Sequence, residues 1–584
     1  MALRSFLTRK TYYRVSKRVT RVFCSSYTPT SQNDESSNKE GNKFSVFQNT
    51  LLNGPQLKDF FKNENLKLSK DEEIPYLKNF RSSLQKVFFY VYGCQMNVND
   101  TEIIWSILKA NNYIKTDNVN EADVVLLVTC AIREGAENKI WNRLECLKGI
   151  RKKQLRNKLK GMKIGVLGCM AERLKHKLLE KERSVDVVAG PDSYRDLPLL
   201  LASTSDNQTA INVQLSVDET YADVMPVRMN ESTVTAFVSI MRGCDNMCTY
   251  CIVPFTRGRE RSRPISSILD EVRYLSENGI KEITLLGQNV NSYRDVSQGV
   301  NFYTTTLAKG FRTVYKSKVG GIRFATLLDK VAEINPEIRI RFTSPHPKDF
   351  PDEVLEVIKM RSNVCKNLHL PAQSGNSNVL ERMRRGYTRE SYLELVQHVK
   401  KILPNVALSS DFICGFCGET EEEFADTLSL LQIVRYNWAY MFPYSMRERT
   451  TAHRRFEDDV SPIIKHLRLE QLSSTFRLIV QAINRSQIGQ TQLVLVEGKS
   501  KRSDLYVQGR NDGNCKVIFP SGDIPDINGT DIRNIKPGDY VVVQINSASS
   551  QVLKGIPLYH STLINFYTGL DTYRQEYIHY NSML

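Results

Sequence analysis

One short stretch constrains this chain more than any other, because Cys244, Cys248 and Cys251 all fall on what must be a single loop. They follow directly on an apolar segment, residues 235–241, whose composition predicts a β-strand. Three neighbouring thiolates can bind three irons of a cubane iron–sulfur cluster and leave the fourth iron without a protein ligand. The spacing Cys-x3-Cys-x2-Cys therefore predicts a cluster whose open iron can bind a cofactor.

Zinc is the alternative metal for such a group of thiolates. A closed structural zinc site takes four protein ligands, commonly in paired Cys-x2-Cys units. No fourth cysteine or histidine lies close to residues 244–251 in the sequence, so the spacing disfavours zinc.

A second set of cysteines lies in the first half of the chain. Short apolar strands are predicted at 87–92, 122–128, 163–167 and 185–189, with helices at 101–110, 140–147 and 171–180, which indicates a parallel sheet covered on both faces. Cys94, Cys130 and Cys169 each come just after one of the first three strands. Because parallel strands end at the same edge, we expect these cysteines to converge on a second cluster site. A buried structural thiol is the alternative for each one taken alone.

Residues 228–445 repeat a strand and a helix about six times, with strands predicted at 234–241, 282–287, 338–343, 367–370, 407–413 and 439–444. Pro264 is expected to open one of the helices, and Thr420 with Glu423 to cap another. Repeated units of this kind close into a full or partial parallel barrel whose chemistry lies at the carboxyl ends of the strands. Residues 294–321 interrupt the repeat and predict an inserted surface loop.

Polar residues within or after these strand ends are candidate cofactor contacts. Gln288, Asn289, Ser344 and Gln373 are the residues of this kind, and Tyr250 in the cysteine loop and Arg385 are further candidates. Any one of the polar residues that follow a strand is equally compatible with a turn or a helix cap. Arg257 and Arg259, just after the cysteine loop, are candidate contacts to RNA phosphate, although Glu260 beside them also fits a charge-paired surface loop.

The two ends of the chain differ from its middle. Residues 1–33 contain seven Lys or Arg and no Asp or Glu, the composition of a mitochondrial transit peptide. Residues 34–84, rich in Asn, Ser, Lys and Glu, predict a disordered linker. Five short strands within residues 486–561 predict a small OB-like barrel, on which Lys501, Arg502 and Arg510 are candidate RNA contacts. Residues 567–584 are predicted to form a tail.

Charge and cysteine usage narrow the class of protein. The formal net charge of +16 favours a polyanionic partner, nucleic acid before an anionic membrane. No run of about 18 apolar residues occurs, so no membrane span is predicted. Without a secretory signal, the 12 cysteines are interpreted as metal ligands or reduced thiols, and Cys24, Cys146, Cys365 and Cys515 as structural.

The motifs around the six predicted ligands carry a resemblance. Tyr250 completes the pattern Cys-x3-Cys-x-aromatic-Cys of the radical S-adenosylmethionine (SAM) enzymes. The N-terminal cysteines stand in Tyr92-Gly93-Cys94-Gln95-Met96-Asn97, Thr129-Cys130-Ala131 and Leu167-Gly168-Cys169-Met170. With the terminal small barrel, residues 86–560 resemble the methylthiotransferases of MiaB type, and within them the eukaryotic mitochondrial branch, the cyclin-dependent kinase regulatory subunit-associated type.

The resemblance implies a fold and its cofactors. The expected fold class is α/β, with a parallel α/β N-terminal domain at 85–205, a partial (β/α)6 radical SAM barrel at 228–482 and an all-β TRAM barrel at 486–561. Cys94, Cys130 and Cys169 would hold an auxiliary 4Fe-4S cluster that carries or donates sulfur. Cys244, Cys248 and Cys251 would hold the radical-generating 4Fe-4S cluster. The two sites are expected to face each other across one cavity.

The resemblance to the methylthiotransferases also implies an activity. Enzymes of this type attach a methylthio group to C2 of N6-isopentenyladenosine next to the tRNA anticodon, at tRNA position 37. One SAM donates a methyl group, and a second supplies the radical that removes the C2 hydrogen. The implied partners are the tRNA anticodon arm, an electron donor and a kinase-activator protein. A monomer in the mitochondrial matrix is expected.

Two segments depart from the family pattern, and several alternatives stay open. Cys417 stands where proline is usual in Gly415-Phe416-Cys417-Gly418, and the turn at Ser445-Met446-Arg447 lacks its usual proline and glycine. Cys414 and Cys417 are not assigned as ligands, since six cysteines already account for two clusters. A methylthiotransferase for threonylcarbamoyladenosine or for a ribosomal protein would carry the same six cysteines. The remaining alternatives are a non-catalytic regulator that binds a kinase activator and an iron–sulfur electron carrier.

Overall fold

The computed structural model describes residues 84–131, 134–157, 161–204, 208–297, 310–312 and 320–568. The predicted transit peptide, all of the predicted linker except Leu84, and all but the first two residues of the predicted tail lie outside them. Within the described ranges no helix is both long enough and apolar enough to span a membrane.

The first part is a six-stranded sheet in which all neighbouring strands are parallel, in the order β2-β1-β3-β4-β5-β6. Its strands are β1 (Lys86–Val91), β2 (Ile114–Lys115), β3 (Val124–Thr129), β4 (Lys163–Gly168), β5 (Val187–Ala189) and β6 (Ala210–Asn212). Every residue of β3 is buried, because helices cover both faces of this central strand. The predicted parallel α/β domain is confirmed, and the short β2 and β6 were not predicted.

The helices of this part are longer or more broken than their apolar patterns indicate. They are α1 (Gln95–Ala110), α2 (Glu134–Arg156), α3 (Cys169–Leu174), α4 (His176–Lys181) and α5 (Leu197–Ser203). Helix α1 begins six residues before the predicted Thr101, since its first turns bury polar residues. The predicted helix at 171–180 is interrupted at Lys175, which adopts φ 51°.

The second part is a partial barrel of two parallel three-stranded sheets, β13-β10-β7 and β14-β15-β16. A parallel bridge between Ile340 and Val364 joins them. The six strands are β7 (Thr235–Ser239), β10 (Glu282–Leu286), β13 (Arg339–Phe342), β14 (Asn367–His369), β15 (Ala407–Cys414) and β16 (Trp438–Pro443). All six coincide with predicted strands, which confirms the six-unit parallel barrel.

Short strand pairs and helices complete the barrel. The pairs are β8 (Met241–Arg242) with β9 (Arg261–Ser262), and β11 (Arg294–Asp295) with β12 (Ile322–Arg323). The helices are α6 (Val253–Thr256), α7 (Ile265–Glu277), α8 (Phe324–Ile334), α9 (Asp352–Met360), α10 (Ser377–Arg382), α11 (Arg389–Ile402), α12 (Glu421–Val434), α13 (Thr451–Arg455) and α14 (Pro462–Arg485). The capping box of Thr420 with Glu423 is present at the start of α12, as predicted. Most of the insertion at 294–321 lies outside the described residues.

The third part is a closed five-stranded barrel in the order β17-β18-β19-β23-β22. Its elements are β17 (Thr491–Ser500), β18 (Ser503–Arg510), β19 (Lys516–Pro520), β22 (Tyr540–Ala548), β23 (Leu553–Ser561), the hairpin β20 (Asp523–Pro525) with β21 (Ile532–Asn534), and α15 (Leu563–Thr568). Closure removes the exposed sheet edges, and alternate Val, Ile and Phe side chains fill the interior. The all-β C-terminal barrel is confirmed, whereas the hairpin and α15 were not predicted.

Two buried arginines attach the small barrel to the larger one. Arg341 donates to the backbone oxygens of Asn511 (2.7 Å) and Asp512 (2.8 Å) and pairs with Glu282 at 2.9 Å. Arg339 donates to the backbone oxygens of Leu493 and Arg510, each at 2.7 Å. Planar guanidinium groups satisfy several carbonyls at once, so the small barrel is held in one orientation against β13.

Candidate active site: two cysteine triads

The N-terminal triad forms where three adjacent strands end. Cys94 follows β1, Cys130 follows β3 and Cys169 follows β4, and these strands are direct neighbours in the sheet. Strand register aligns their ends, because Val91 pairs with Val128 and Thr129 pairs with Gly168. The structure thus brings together the three cysteines that the sequence predicted would converge.

Gly93 permits the close approach of two of these cysteines. Its φ of 107° lies in a region that residues with a side chain rarely adopt. A Cβ at this position would lie 2.5 Å from the Cβ of Cys130, closer than two carbons can pack. The glycine before Cys94 is therefore part of the triad's geometry.

The second triad lies on the loop after β7 and β8, at the carboxyl end of the barrel. Thr249 fixes the loop, since its N–H donates to the Met383 carbonyl at 3.0 Å and its hydroxyl to the Arg382 carbonyl at 2.8 Å. The Ala452 N–H donates in turn to the Thr249 carbonyl at 2.8 Å. Cys248 is buried, whereas Cys244 and Cys251 are half-buried.

Each triad has one buried arginine that reaches a sulfur. Arg257 Nε lies 3.3 Å from Cys169 Sγ, and Arg385 Nη1 lies 3.5 Å from Cys248 Sγ. Both guanidinium groups donate hydrogen bonds, and thiolate or sulfide sulfur accepts them. Positive donors beside sulfur fit a cluster, which places several negative sulfurs in a small volume.

The surroundings of the N-terminal triad fit an iron–sulfur cluster. In a cubane each thiolate binds its own iron, and the sulfides between the irons accept hydrogen bonds. Arg257 Nη1 is buried and has no hydrogen-bond partner within the part of the chain that the structure describes, which leaves one donor for a cluster sulfide.

Burial shapes the protonation of these thiols. It raises the pKa of Cys169 to about 11, although the neighbouring Arg257 guanidinium works in the opposite direction. Burial, with the proximity of Cys248, raises the pKa of Cys251 to about 12. Iron binds the thiolate and displaces the proton, so the positive charge of the bound iron offsets the cost of burying the thiolate.

The two triads meet at one interface. Ala131 and Cys169 of the N-terminal domain share an apolar cluster with Ile252, the residue after Cys251. Phe255, in helix α6, packs against the same cluster. The loops that carry the two triads are thus in direct contact. A cavity shared by both clusters stays a prediction.

A buried ionic network crosses this interface. Asp100 in helix α1 accepts from Arg257 Nη2 and from Arg242 Nη1, each at 2.7 Å. Burial works against ionisation of the carboxyl, but the two guanidinium groups outweigh it and hold the pKa of Asp100 below its usual range. Asn99, the preceding residue, donates to the Phe237 carbonyl on β7 at 3.0 Å. These contacts bind α1 to the edge of the barrel.

Three of the predicted cofactor contacts are Tyr250, which lies within the loop of the second triad, and Ser344 and Gln373, which follow barrel strands. Tyr250 is half-buried, and its hydroxyl accepts from Arg385 Nη1 at 3.4 Å. Ser344 and Gln373 follow β13 and β14 and adopt φ of 59° and 70°, which is strained backbone for residues with a side chain. Strain of this kind concentrates at ligand sites, so the predicted roles of these residues are retained as proposals.

The other three predicted cofactor contacts, Arg385, Gln288 and Asn289, differ in their hydrogen bonding within the protein. Arg385 uses its donors on Cys248, Tyr250, the Tyr387 hydroxyl (3.0 Å) and the Pro371 carbonyl (2.8 Å). Gln288 Oε1 is buried and has no partner among the described residues, so it is open to a ligand. Asn289 accepts from the His346 N–H (2.9 Å) and donates to Asp349 (2.8 Å). Its amide braces the turn at Pro347–Asp349, and a cofactor contact at Asn289 stays a prediction.

A cationic recess of about 350 Å³ lies beside the second triad. It is lined by Asn246, Met247, Arg312, His346, Lys348, Arg384, Arg385 and Gly386. Burial, with the positive charges of Arg385 and Lys348, holds the pKa of His346 well below its usual range. Its four cationic side chains suit an anionic group, a carboxylate or a phosphate.

The predicted RNA contacts divide by exposure. Arg259, Lys501 and Arg502 are exposed, and Arg510 is half-buried and lies 3.1 Å from Glu497. Arg257 is only 3% exposed and is committed to Asp100 and Cys169. The predicted phosphate contact at Arg257 is therefore wrong, because a buried guanidinium with internal partners cannot reach RNA.

Several residues of the site were missed in the sequence. Asn97 stands in a quoted motif but was given no role, and no role was assigned to Asp100, Arg312, Lys348 or Arg384. Asp100 could have been found in the sequence, because it is one of several polar residues at the start of the helix that directly follows Cys94. Cys414 and Cys417 are buried, and Cys417 packs with Phe416 and Tyr444, which supports leaving them out of the ligand set.

Comparison with known families matches three regions of the chain. The Radical SAM superfamily matches residues 238–431, the TRAM domain matches residues 485–558, and a group described as uncharacterized protein family UPF0004 matches residues 86–190. The matches fall on the three structural parts described above.

Curated relatives extend over nearly the whole chain. The mitochondrial tRNA methylthiotransferase CDK5RAP1 of Homo sapiens is 56% identical over 542 residues, covering 88% of this chain and 90% of the relative. The CDK5RAP1-like protein of Caenorhabditis elegans is 51% identical and covers 86% of this chain and 91% of the relative. A bacterial tRNA-2-methylthio-N(6)-dimethylallyladenosine synthase, from Chloroherpeton thalassium, is 47% identical and covers 80% of this chain and 95% of the relative.

Proposed function

The chain belongs to the family of MiaB-type radical SAM tRNA methylthiotransferases, and from this premise we propose that it converts N6-isopentenyladenosine beside the anticodon of mitochondrial tRNA into its 2-methylthio derivative. It is a radical SAM enzyme that transfers a methylthio group to tRNA, with 4Fe-4S clusters and SAM as cofactors. One observation carries the proposal: Cys169 of one triad and Ile252, which follows the other triad, share one apolar cluster.

The chemistry of the substrate explains why two cofactor sites are needed. The C2–H bond of an adenine ring is strong and its proton is not acidic, so acid–base side chains contribute little to breaking it. When bound, SAM and the clusters supply the radical, the methyl group and the sulfur. The task of the chain is to hold these reactants in line and to keep water from the radical.

We assign the six cysteines as ligands in two groups. Cys244, Cys248 and Cys251 would hold the cluster that binds SAM, and Cys94, Cys130 and Cys169 the auxiliary cluster. Arg385 contacts Cys248, and we propose that Arg385, Tyr250, Gln288, Asn289, Ser344 and Gln373 orient SAM at the cluster of this first group. The recess that includes Arg385 and Lys348 provides positive charge for the SAM carboxylate or for a phosphate of the substrate.

The tRNA requires a surface outside the two triads. Arg259 is exposed just after the second triad, and Lys501, Arg502 and Arg510 lie on the small barrel. Cationic side chains on separate parts of the chain can contact successive phosphates of one anticodon arm. Because Arg339 and Arg341 hold the small barrel against β13, its distance from the reaction site would stay constant. Contacts at that distance would select the nucleotide beside the anticodon.

The protein acts in the mitochondrion, as its relatives named mitochondrial do, and we propose the matrix as its compartment. A reductant for the clusters is required, and a monomer is the proposed state. Sister enzymes that act on threonylcarbamoyladenosine or on a ribosomal protein would use the same cysteines. The 47% identity to a dimethylallyladenosine synthase favours the isopentenyl substrate.

Nucleoside mass spectrometry tests the proposal. Mitochondrial tRNA from cells that lack the protein is expected to contain isopentenyladenosine without its methylthio derivative. Wild-type protein should restore the derivative, and the Cys248→Ala variant should not. Unchanged methylthio levels would overturn the assignment. If only threonylcarbamoyladenosine loses its methylthio group, that nucleoside and not isopentenyladenosine is the substrate.

A further inference from the structure

We propose that Arg257 is a positioning residue that raises the reduction potential of the auxiliary cluster, through the hydrogen bond from its Nε to Cys169 Sγ. The inference rests on the proposed function, because it needs a cluster on Cys94, Cys130 and Cys169. The donor belongs to the barrel and the sulfur to the N-terminal domain, with 3.3 Å between the two atoms. Arg257 is the residue for which the sequence predicted an RNA contact.

The guanidinium of Arg257 is fixed from its other side. Its Nη2 donates to Asp100 Oδ2 at 2.7 Å and to Asn97 Oδ1 at 3.2 Å. The second oxygen of Asp100 accepts from Arg242 Nη1 at 2.7 Å, so the carboxylate itself cannot rotate freely. A planar group held by Nη2 presents its Nε in one direction. Asp100 therefore aims the Arg257 donor at the sulfur.

Such a donor changes the electronic state of a cluster. Reduction adds one negative charge, and an N–H donor or positive charge at a ligand sulfur stabilises that charge most strongly where water is excluded. Arg257 and Cys169 are both buried. Nη1 of the same guanidinium is buried without a partner among the described residues, so a second donor is available to a cluster sulfide. The auxiliary cluster should thus be easier to reduce with Arg257 than without it.

A purely structural role is the competing explanation, since Arg257 also ties two domains together. Arg242 offers a matched control, because it pairs with the same carboxylate at the same distance. Its other contacts are Glu219 at 3.6 Å and the Tyr221 ring at 4.9 Å. In the described part of the chain Arg242 makes no hydrogen bond to a cysteine sulfur. Loss of Arg242 should weaken the interface and shift the potential less than loss of Arg257, because it removes no donor to the sulfur.

The test uses the full-length chain with Cys244, Cys248 and Cys251 changed to Ala, so that only the auxiliary cluster contributes. The protein is reconstituted anaerobically, and its reduction is followed by electron paramagnetic resonance at set potentials. We expect Arg257→Gln to shift the midpoint to a more negative potential. Arg257→Lys, which keeps the charge without the planar donor, should shift it less. Arg242→Gln should shift it less than Arg257→Gln, because it loosens Asp100 but leaves the donor to the sulfur in place.

Each outcome decides the question. A midpoint of Arg257→Gln equal to that of the parent, or an equal shift in Arg242→Gln, would overturn the inference and leave Arg257 with a structural role. If Arg257→Gln does not retain iron, Arg257→Lys decides, and an unshifted midpoint there overturns the inference as well. Absence of iron from the parent chain is a different failure, since it removes the auxiliary cluster and the proposed function with it.

Discussion

The two cysteine triads make similar sites by opposite routes. The triad of Cys244, Cys248 and Cys251 is contained in one loop, and its spacing is visible in the sequence. In the other triad each cysteine follows a different strand, and only the register of the sheet brings the three together. The first site is encoded locally, while the second depends on the folding of a whole domain.

The arginines differ in the same way. Arg385 contacts Cys248 from within the barrel that carries both residues. Arg257 contacts Cys169 across the boundary between two domains and is held there by Asp100. Damage to the domain interface should therefore disturb the auxiliary site first. Four changes would break or sharpen this comparison.

The largest expected effect separates the two triads by chemistry. Cys248→Ala should abolish cleavage of SAM, because it removes a ligand of the cluster that binds the cofactor. Cys130→Ala should leave cleavage intact and abolish methylthiolation, since only the sulfur-delivering site is lost. Both are measured by quantifying 5′-deoxyadenosine and modified nucleoside in anaerobic assays. Equal loss of cleavage in the two variants would show that the triads are not functionally separate.

The contrast also explains what the sequence could predict. The loop triad was recognisable from spacing alone, and the strand-end triad from three apolar strands of nearly equal separation. The six barrel strands were predicted from the regular alternation of strand-like and helix-like segments, although β13 alternates Arg339 and Arg341 with Ile340 and Phe342. Short strands such as β2, with two residues, carry no such pattern and were missed.

Substitutions of two separate glycines, Gly93 and Gly279, test how strictly the N-terminal sheet determines the geometry of the auxiliary triad. Gly93→Ala should lower iron content from about eight to about four per chain, because the new Cβ would collide with Cys130. Gly279→Ala is the matched control, since Gly279 also has a positive φ, 77°, but no described atom lies within 4 Å of the added Cβ. The control should keep both clusters. Iron and sulfide analysis after anaerobic reconstitution measures the difference, and equal contents in the two variants would contradict it.

The third prediction concerns the ionic network of Asp100 with Arg242 and Arg257 and its effect on the free energy of unfolding. Asp100→Asn should destabilise the protein by roughly 3–5 kcal/mol, because two buried guanidinium groups lose their shared carboxylate. Asp270→Asn is the control, since Asp270 pairs with Arg273 on the exposed side of α7. Thermal unfolding of the reconstituted protein should show a clearly lower Tm for Asp100→Asn alone. A similar Tm for both variants would mean that the interface tolerates the loss.

The sequence could not predict the roles of residues whose contacts form only in the folded protein. Arg257 and Arg259 are two positions apart and look alike in the sequence, yet one is buried against a sulfur and the other is exposed. Asn289 was chosen for its place after a strand, and its amide turned out to hold the turn that contains Lys348. Sequence position identified the correct edge of the barrel. Which way each side chain points depends on packing partners that are distant in the chain.

The smallest expected effect concerns the exposed member of that arginine pair. Arg259→Ala should weaken binding of an anticodon stem-loop a few-fold and lower the salt dependence of binding by about one counterion, as the loss of one phosphate contact does. The Arg259 guanidinium lies 3.6 Å from the Asp245 carboxylate. The side chain of Arg259 is 66% exposed, so Arg259 can turn toward RNA. Arg273→Ala is the control, because Arg273 is also exposed and paired with an aspartate, but on helix α7. An affinity unchanged by Arg259→Ala, or lowered equally by both variants, would remove Arg259 from the RNA surface and leave the small barrel as the proposed contact.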